Sequence, residues 1–275
     1  MTLEELLAAE IAGWPTGATG VIVVDATGEV ARAGDVTTPR PWASVTKLLT
    51  ALTVLRGAAF GAVSLDDPAG PPGSTVGHLL AHASGLAADS DRLLAKPGLR
   101  RVYSNRGFEV VAEHVARRVG RPFAEILQEW VVQPVGMART VLDGSPAHGA
   151  TGPVTDLGVL ARELLAPTVL PLDLIAAATT VAFPGLAGVL PGFGRQEPND
   201  WGLGFEIRDG KSPHWTSAAN SHATFGHFGQ SGSFLWVDPV AGLACVCAGD
   251  TPFGPWAAEL WPRLSTLVLD HQRRP

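Results

Sequence analysis

Tyrosine occurs once in the 275 residues, as Tyr103, and lysine three times, as Lys47, Lys96 and Lys211, against seventeen arginines. Long runs of one charge are missing as well. The net charge is −6, and the largest basic groups are the pairs Arg100-Arg101, Arg117-Arg118 and Arg273-Arg274. A surface that tracks a phosphate backbone needs many clustered cations, so nucleic acid is excluded as an expected partner. The least charged stretch, Leu174 to Gly194, is interrupted by Pro184, Pro191 and four glycines, which predicts a buried helix followed by a loop, not a membrane span. The first residues, Met1 to Leu7, carry Glu4 and Glu5 and no basic n-region, which reads as a helix start and not a signal peptide. The two cysteines, Cys245 and Cys247, lie two apart in an apolar run. At that spacing on a strand they share a face and are poorly placed to bond each other, so core thiols in a reducing, cytoplasmic setting are expected. No Gly-rich phosphate loop occurs, and no Gly-x-Ser-x-Gly elbow, which argues against an α/β-hydrolase.

What is present is ample core: 46% of residues are hydrophobic and 17% charged. Helical periodicity covers Leu3 to Ile11. A buried strand, Gly20 to Asp25, and a return strand, Gly28 to Arg32, follow. A helix is predicted from Ala43 to Arg56, stopped by Gly57. Further helices are expected at Thr75–His82, Asn105–Val119, Pro122–Val132, Val154–Leu165 and Leu172–Val181. Strands are expected at Trp201–Arg208, Ala223–Phe228, Ser233–Val237 and Leu243–Ala248, with a closing helix Trp256–Gln272. Strands from both ends with helices between predict an α/β (α+β) protein. Residues 1–59 and 195–275 would form the antiparallel sheet and its flanking terminal helices, and 60–194 an inserted helical subdomain, with the site at their interface.

One of the three lysines closes Ser44-Val45-Thr46-Lys47 at the start of a helix, and the one tyrosine opens Tyr103-Ser104-Asn105 on a loop entering another. Residues three apart on a helix share a face, and first-turn amides are unpaired and carry partial positive charge. A serine there presents its hydroxyl, its own N–H can stabilise an oxyanion, and a lysine buried among leucines loses its preference for the charged form. The pair reads as a nucleophile with an amine base, or as an ordinary first helical turn. Tyr103 reads as a proton relay and Asn105 as a group able to hold both a substrate amide and the lysine. An N-cap at Ser104 or Asn105, with Tyr103 as packing, is compatible with that role. His78 and His82, four apart, offer half a metal site without a third ligand, so a structural role is expected and no metal. His214 and His222 flank Trp215 in a polar loop as outlying candidates for the cleft.

Taken in order, these motifs resemble the serine β-lactamase and penicillin-binding-protein superfamily, most closely its class C β-lactamase and esterase branch. The resemblance runs through Trp42 to Lys47, Thr75 to Leu86 (TVGHLLAHASGL), Pro97-Gly98 to Asn105, Ala124 to Leu127, and Pro134 to Met137. It continues through Trp201 to Phe205, Gly226 to Gly229, and Leu235 to Pro239. It implies that Ser44 is acylated, with Lys47 and Tyr103 moving its proton and Asn105 orienting substrate and lysine. It further implies that His227-Phe228-Gly229 is an edge strand lining the site, and that the Gln230 amide joins that of Ser44 as the oxyanion hole. No cofactor is implied. The family's third motif usually carries Lys or His, then Thr or Ser, then Gly. Here Phe228 stands in the middle without a hydroxyl for a substrate carboxylate. The expected partner is therefore a small-molecule ester or amide, with an esterase in front and a D-amino-acid peptidase, a β-lactamase or a catalytically idle binding module as alternatives.

Overall fold

The computed structural model describes residues 1–273. A six-stranded antiparallel sheet is built from both ends of the chain. In chain order its strands are β1 (Thr19–Asp25), β2 (Glu29–Gly34), β3 (Glu206–Ile207), β4 (Phe225–Gly229), β5 (Ser233–Asp238) and β6 (Leu243–Gly249). In space the order is β3-β4-β5-β6-β1-β2, so the first strand pairs with the last, Val21 opposite Cys247 and Val23 opposite Cys245. The five helices that matter most for the site are α1 (Leu3–Ala12), α2 (Thr46–Ala59), α3 (Asn105–Val119), α4 (Val154–Leu165) and α5 (Pro255–Gln272).

Both faces of the sheet are covered, which is why β6 reads as an unbroken apolar run instead of an alternating one. One face carries Val21, Val23, Phe234, Trp236, Cys245 and Cys247, packed with Leu7 of α1 and Trp261 and Leu264 of α5. The other carries Ile22, Val24, Leu235, Val246 and Ala248 against Leu157 and Ala161 of α4 and the buried residues of α2. Both cysteines are free, buried and on one face, as their spacing predicts. At the N-terminus, Thr2 and Glu5 form a reciprocal capping box that starts α1.

Between the two groups of strands the chain is mainly helical, with short ribbons such as Leu86–Ala87 with Ser90–Leu93, and Gly188–Leu190 with Gly194–Gln196. No helix among the described residues is long and apolar enough to cross a membrane. The stretch beginning at Leu172 is helical only to Thr179 before it loops into the second ribbon. Buried Arg101 ties these loops together. It donates to the Ala81, Phe183 and Asn199 carbonyls at 2.7, 2.8 and 3.1 Å, and also to Ala182.

Three predicted boundaries move. The helix predicted from Ala43 begins as a 3-10 turn, Ala43–Val45, and passes through Gly57 to Ala59. Gly57 serves packing, not termination: a Cβ there would sit 3.1 Å from the Trp130 ring and 3.3 Å from Val63. The predicted strand Trp201–Arg208 is reduced to Glu206–Ile207, because Trp201 to Gly204 form a loop whose amides bond to Ala178 and Leu80. The helix predicted from Pro122 is interrupted by a π-helical segment, Gln128–Val132.

Strand β4 is second in the sheet and not its edge, but β3 pairs only with Phe225 and Gly226 and stops short of His227, and β4 meets the turn that carries Ser44 at Gly229. A Cβ there would lie 2.2 Å from the Trp42 carbonyl oxygen, a backbone atom that cannot swing away. Ser231 and Ser233 hydroxyls donate to the Pro41 and Trp42 carbonyls at 2.7 and 2.8 Å, stapling the two segments. Gly229→Ala is therefore expected to lower stability by about 1–3 kcal/mol, the cost of overpacking a fixed contact, read from denaturant midpoints; an unchanged midpoint would show that the contact is slack.

Candidate active site

Every side chain singled out at Ser44, Lys47, Tyr103 and Asn105 converges on one point. Ser44 lies in the 3-10 turn just before α2, after Ala43, whose φ of 44° places a non-glycine residue in the left-handed region. Strain of this kind persists only where surrounding contacts fix it. Here Trp42, fully buried, donates its indole N–H to the Gly152 carbonyl at 2.9 Å and anchors the turn from below. Lys47 follows one turn later on α2, with no exposed surface.

The Lys47 amine reaches three acceptors: Asn105 Oδ1 at 2.7 Å, the Ala147 carbonyl at 2.9 Å and Ser44 Oγ at 3.1 Å. The first two can only accept. They consume two N–H bonds, so the remaining tetrahedral direction points at the serine, as a proton in the ammonium and as a lone pair in the amine. Burial pulls the Lys47 pKa down to about 7, against the opposing influence of Asp89 and Glu109. The Ala147 loop is held in place by the same helix: Thr50 donates to the Pro146 carbonyl at 2.6 Å and Thr46 accepts from the Ala150 amide at 3.0 Å.

Tyr103 enters from the loop before α3. Its phenol lines the same cavity as Ser44, and the Lys47 nitrogen lies 4.8 Å from its ring centre. Burial raises the phenol's pKa, the serine hydrogen bond lowers it in part, and Asp89 adds to the rise, so the group stays protonated at neutral pH. Ser104 is the N-cap of α3, accepting from the Gly107 amide at 2.9 Å, which leaves Asn105 free to face the lysine. The Ser104 cap and the contact of Asn105 with Lys47 coexist.

His227, Phe228 and Gly229 lie on β4, and Gln230 in the turn after it. Ser44, Tyr103, Asn105, His227, Phe228 and Gln230 all line a cavity of about 250 Å³, completed by Leu190, Pro191, Trp201 and Glu206. His227 is buried. Desolvation, with the nearby Lys47 charge, lowers its pKa to about 3, so it lines the cavity as a neutral imidazole. Its Nδ1 is 2.7 Å from the Phe228 carbonyl, which fixes the proton on that nitrogen. Phe228 packs into an aromatic cluster with Phe193, Trp215, Phe253 and Trp261.

The histidines outside the site separate. His78 bonds Thr75 at 2.9 Å and stacks on Phe183. His82 is buried, accepts from the Ser104 amide at 3.2 Å and packs on Tyr103 with ring centres 4.5 Å apart. It buttresses the tyrosine from behind, a role its spacing from His78 did not disclose. Exposed His222 contacts Asp209. His214 does not line the cavity but holds Glu206, which does, at 2.8 Å. Trp215 also donates to Glu206, at 2.9 Å, and Lys211 pairs with it. Burial alone would raise the Glu206 pKa; His214 and Lys211 outweigh it and keep the carboxylate charged. Among the described residues, no group of three or more His, Cys, Asp or Glu is placed to hold a metal ion.

The Beta-lactamase family model matches residues 16–264. The chain belongs to the beta-lactamase family. It is 53% identical to a beta-lactamase of known crystal structure from Mycobacterium bovis, covering 98% of this chain and 100% of that one with a TM-score of 0.95. The octameric penicillin-binding protein homologue from Pyrococcus abyssi shares the fold, with a TM-score of 0.76 at 18% identity over 97% of this chain and 76% of that one. The D-alanyl-D-alanine-carboxypeptidase/endopeptidase AmpH of Escherichia coli K12 is 28% identical over 181 residues, 48% of this chain. That match spans 47% of the length of AmpH, about half of this curated relative. The antiparallel sheet with flanking and inserted helices is the fold expected of such a chain.

A base whose neutral form is needed gains activity as pH rises through its own pKa. With Lys47 at about 7, the acidic limb of Ser44 acylation should be centred near pH 7, and not near the ordinary lysine value. Rates of active-site labelling between pH 5 and 9 measure this; a flat profile through that range would exclude Lys47 as the base.

Proposed function

We propose that the protein is a serine hydrolase that works through an acyl-enzyme at Ser44 on small, neutral esters. The observation that carries this reading is the Lys47 amine, with two directions taken by carbonyl-type acceptors and the third by the serine hydroxyl. In the neutral amine that third direction is a lone pair, and the serine proton has a base within reach.

In acylation Ser44 Oγ attacks the substrate carbonyl carbon and its proton passes to Lys47. The main-chain N–H groups of Ser44 and Gln230 receive the oxyanion, on either side of the contact between Gly229 and Trp42. The Tyr103 phenol, kept protonated by burial and in contact with Ser44, hands a proton to the leaving alkoxide and is reprotonated from Lys47. The carbon–oxygen bond to the alcohol breaks and the acyl-enzyme remains. Water then attacks, with the same groups moving its proton in reverse. Asn105 holds the lysine throughout.

The substrate class follows from the walls. Leu190, Pro191, Trp201 and Phe228 offer apolar surface, His227 is uncharged, and the charged group on the lining is the carboxylate Glu206. A substrate carboxylate, as in β-lactams and D-alanyl peptides, would lose its water there without gaining a cation or a hydroxyl at position 228. A fluorophosphonate should label the native protein and not Ser44→Ala, and short-chain p-nitrophenyl esters should be turned over with kcat/KM at least about tenfold above cephalosporins or D-alanyl-D-alanine peptides. Equal labelling of both proteins would overturn the nucleophile, and faster turnover of the peptides would make the enzyme a carboxypeptidase.

A further inference from the structure

An amide side chain such as that of Asn105 can be turned over with almost no change in shape, yet only one orientation serves a lysine. The oxygen must face the amine, since the Nδ2 group would set donor against donor. The Asn105 Nδ2 donates to Asp89 Oδ1 at 2.7 Å while its Oδ1 accepts from Lys47 at 2.7 Å. An ionised carboxylate has nothing to donate, so a turned Asn105 would meet acceptor against acceptor at Asp89 as well. The geometry points to Asp89 as a positioning residue that fixes Asn105 oxygen-first on Lys47. This rests on the serine-hydrolase reading of the same site.

The backbone supports the placement. Asp89 sits at the turn of the ribbon Leu86–Ala87 with Ser90–Leu93, and that turn is stitched to the start of α3 residue by residue. The Ser104 hydroxyl donates to the Ala87 carbonyl at 2.7 Å, the Arg106 amide to the Ala88 carbonyl at 2.9 Å, and the Arg106 guanidinium to Asp91 at 2.7 Å. Asp89 is exposed and bonds the one site residue whose orientation is otherwise free, so it acts on the reacting atoms only through Asn105 and its charge.

That charge has a sign. Of the groups facing Lys47, Asp89 and Glu109 favour the ammonium. His82 and His227 are kept neutral by burial, and Tyr103 is kept a neutral phenol. Removing the Asp89 carboxylate lowers the Lys47 pKa, so the acidic limb of Ser44 acylation moves to lower pH. A residue that merely shaped the loop would leave the limb where it is.

The test is the pH dependence of fluorophosphonate labelling at Ser44 in the full chain, for the native protein, Asp89→Asn, Asp89→Ala, Asn105→Ala and the double variant Asn105→Ala/Asp89→Ala. Asp89→Asn keeps an acceptor and loses the charge: its limb should fall by about half a pH unit with a plateau within about threefold of native. Asp89→Ala loses both, with the same limb shift and a plateau lowered about tenfold. In the Asn105→Ala background the Asp89→Ala change should cost less than about twofold on the plateau, because its route is gone. A native limb and plateau in Asp89→Ala, or an equal loss in both backgrounds, would overturn the assignment. Absence of labelling in the native protein would instead remove the hydrolase reading itself and the assignment with it.

Discussion

Burying an amine among acceptors is the constraint around which this molecule is arranged. Lys47 has no exposed surface, and three of its neighbours are oxygens. An isolated ammonium in such a place is costly, and the fold meets that cost in two ways at once. Burial shifts the amine toward neutrality, and the carbonyl oxygens and two nearby carboxylates hold whatever charge is left. Each partner comes from a different part of the chain: Asn105 from the start of α3, Ala147 from the loop between Leu142 and Ala150, Ser44 from the turn before α2. Three separate segments of the chain are brought together at a single nitrogen atom.

That dependence explains why α2 is sheathed on nearly every side. Thr46 and Thr50 spend their hydroxyls on the loop that carries Ala147, and Thr53 bonds back to the Leu49 carbonyl at 2.8 Å. A helix with threonines instead of leucines at such positions gives up apolar area, but it gains fixed polar contacts with a loop that has no regular structure to hold it. Strand β4 and the turn after it are set against the same helix start by Gly229 and by the hydroxyls of Ser231 and Ser233. The approach of the two segments at Gly229 is limited by the Trp42 carbonyl, a backbone atom that cannot relax by rotating a side chain.

Much of this could be read from the chain because chemistry was scarce in it. A sequence with one tyrosine and three lysines marks the positions where it keeps them, and Ser44, Lys47, Tyr103 and Asn105 do converge. The strands of the sheet were legible where both faces are buried, as in β1 and β6. Gly57 misled, because a glycine needed for Trp130 to approach looks the same in sequence as one that ends a helix. The Trp201–Arg208 segment has the composition of a strand but spends its first residues bonding a helix end and a loop, a tertiary demand that propensity does not encode. Ala147 contributes through its carbonyl alone, so no side-chain pattern could reveal it. His82 and Asp89 bond residues far away in sequence, at separations that periodicity cannot register, and Glu206 reaches the cavity from a segment that carries no site motif.

The electrostatic character of the cavity is the part that neither motif nor fold dictates. The third motif keeps the glycine that close packing requires and places Phe228 where a hydroxyl is usual, while His227 beside it is held uncharged by its own burial. Glu206 keeps its negative charge only because Lys211 and His214, both buried, stand behind it. The Lys211 ammonium is therefore committed to the carboxylate and turned away from the substrate, and the His214 Nε2 faces the same carboxylate. A neutral acyl group meets apolar walls with little desolvation cost, whereas an anionic one meets a carboxylate and no compensating cation on the lining. The selectivity proposed for this site thus arises from where cations are withheld, and the same nucleophile in a cavity with one free cation would favour a different substrate.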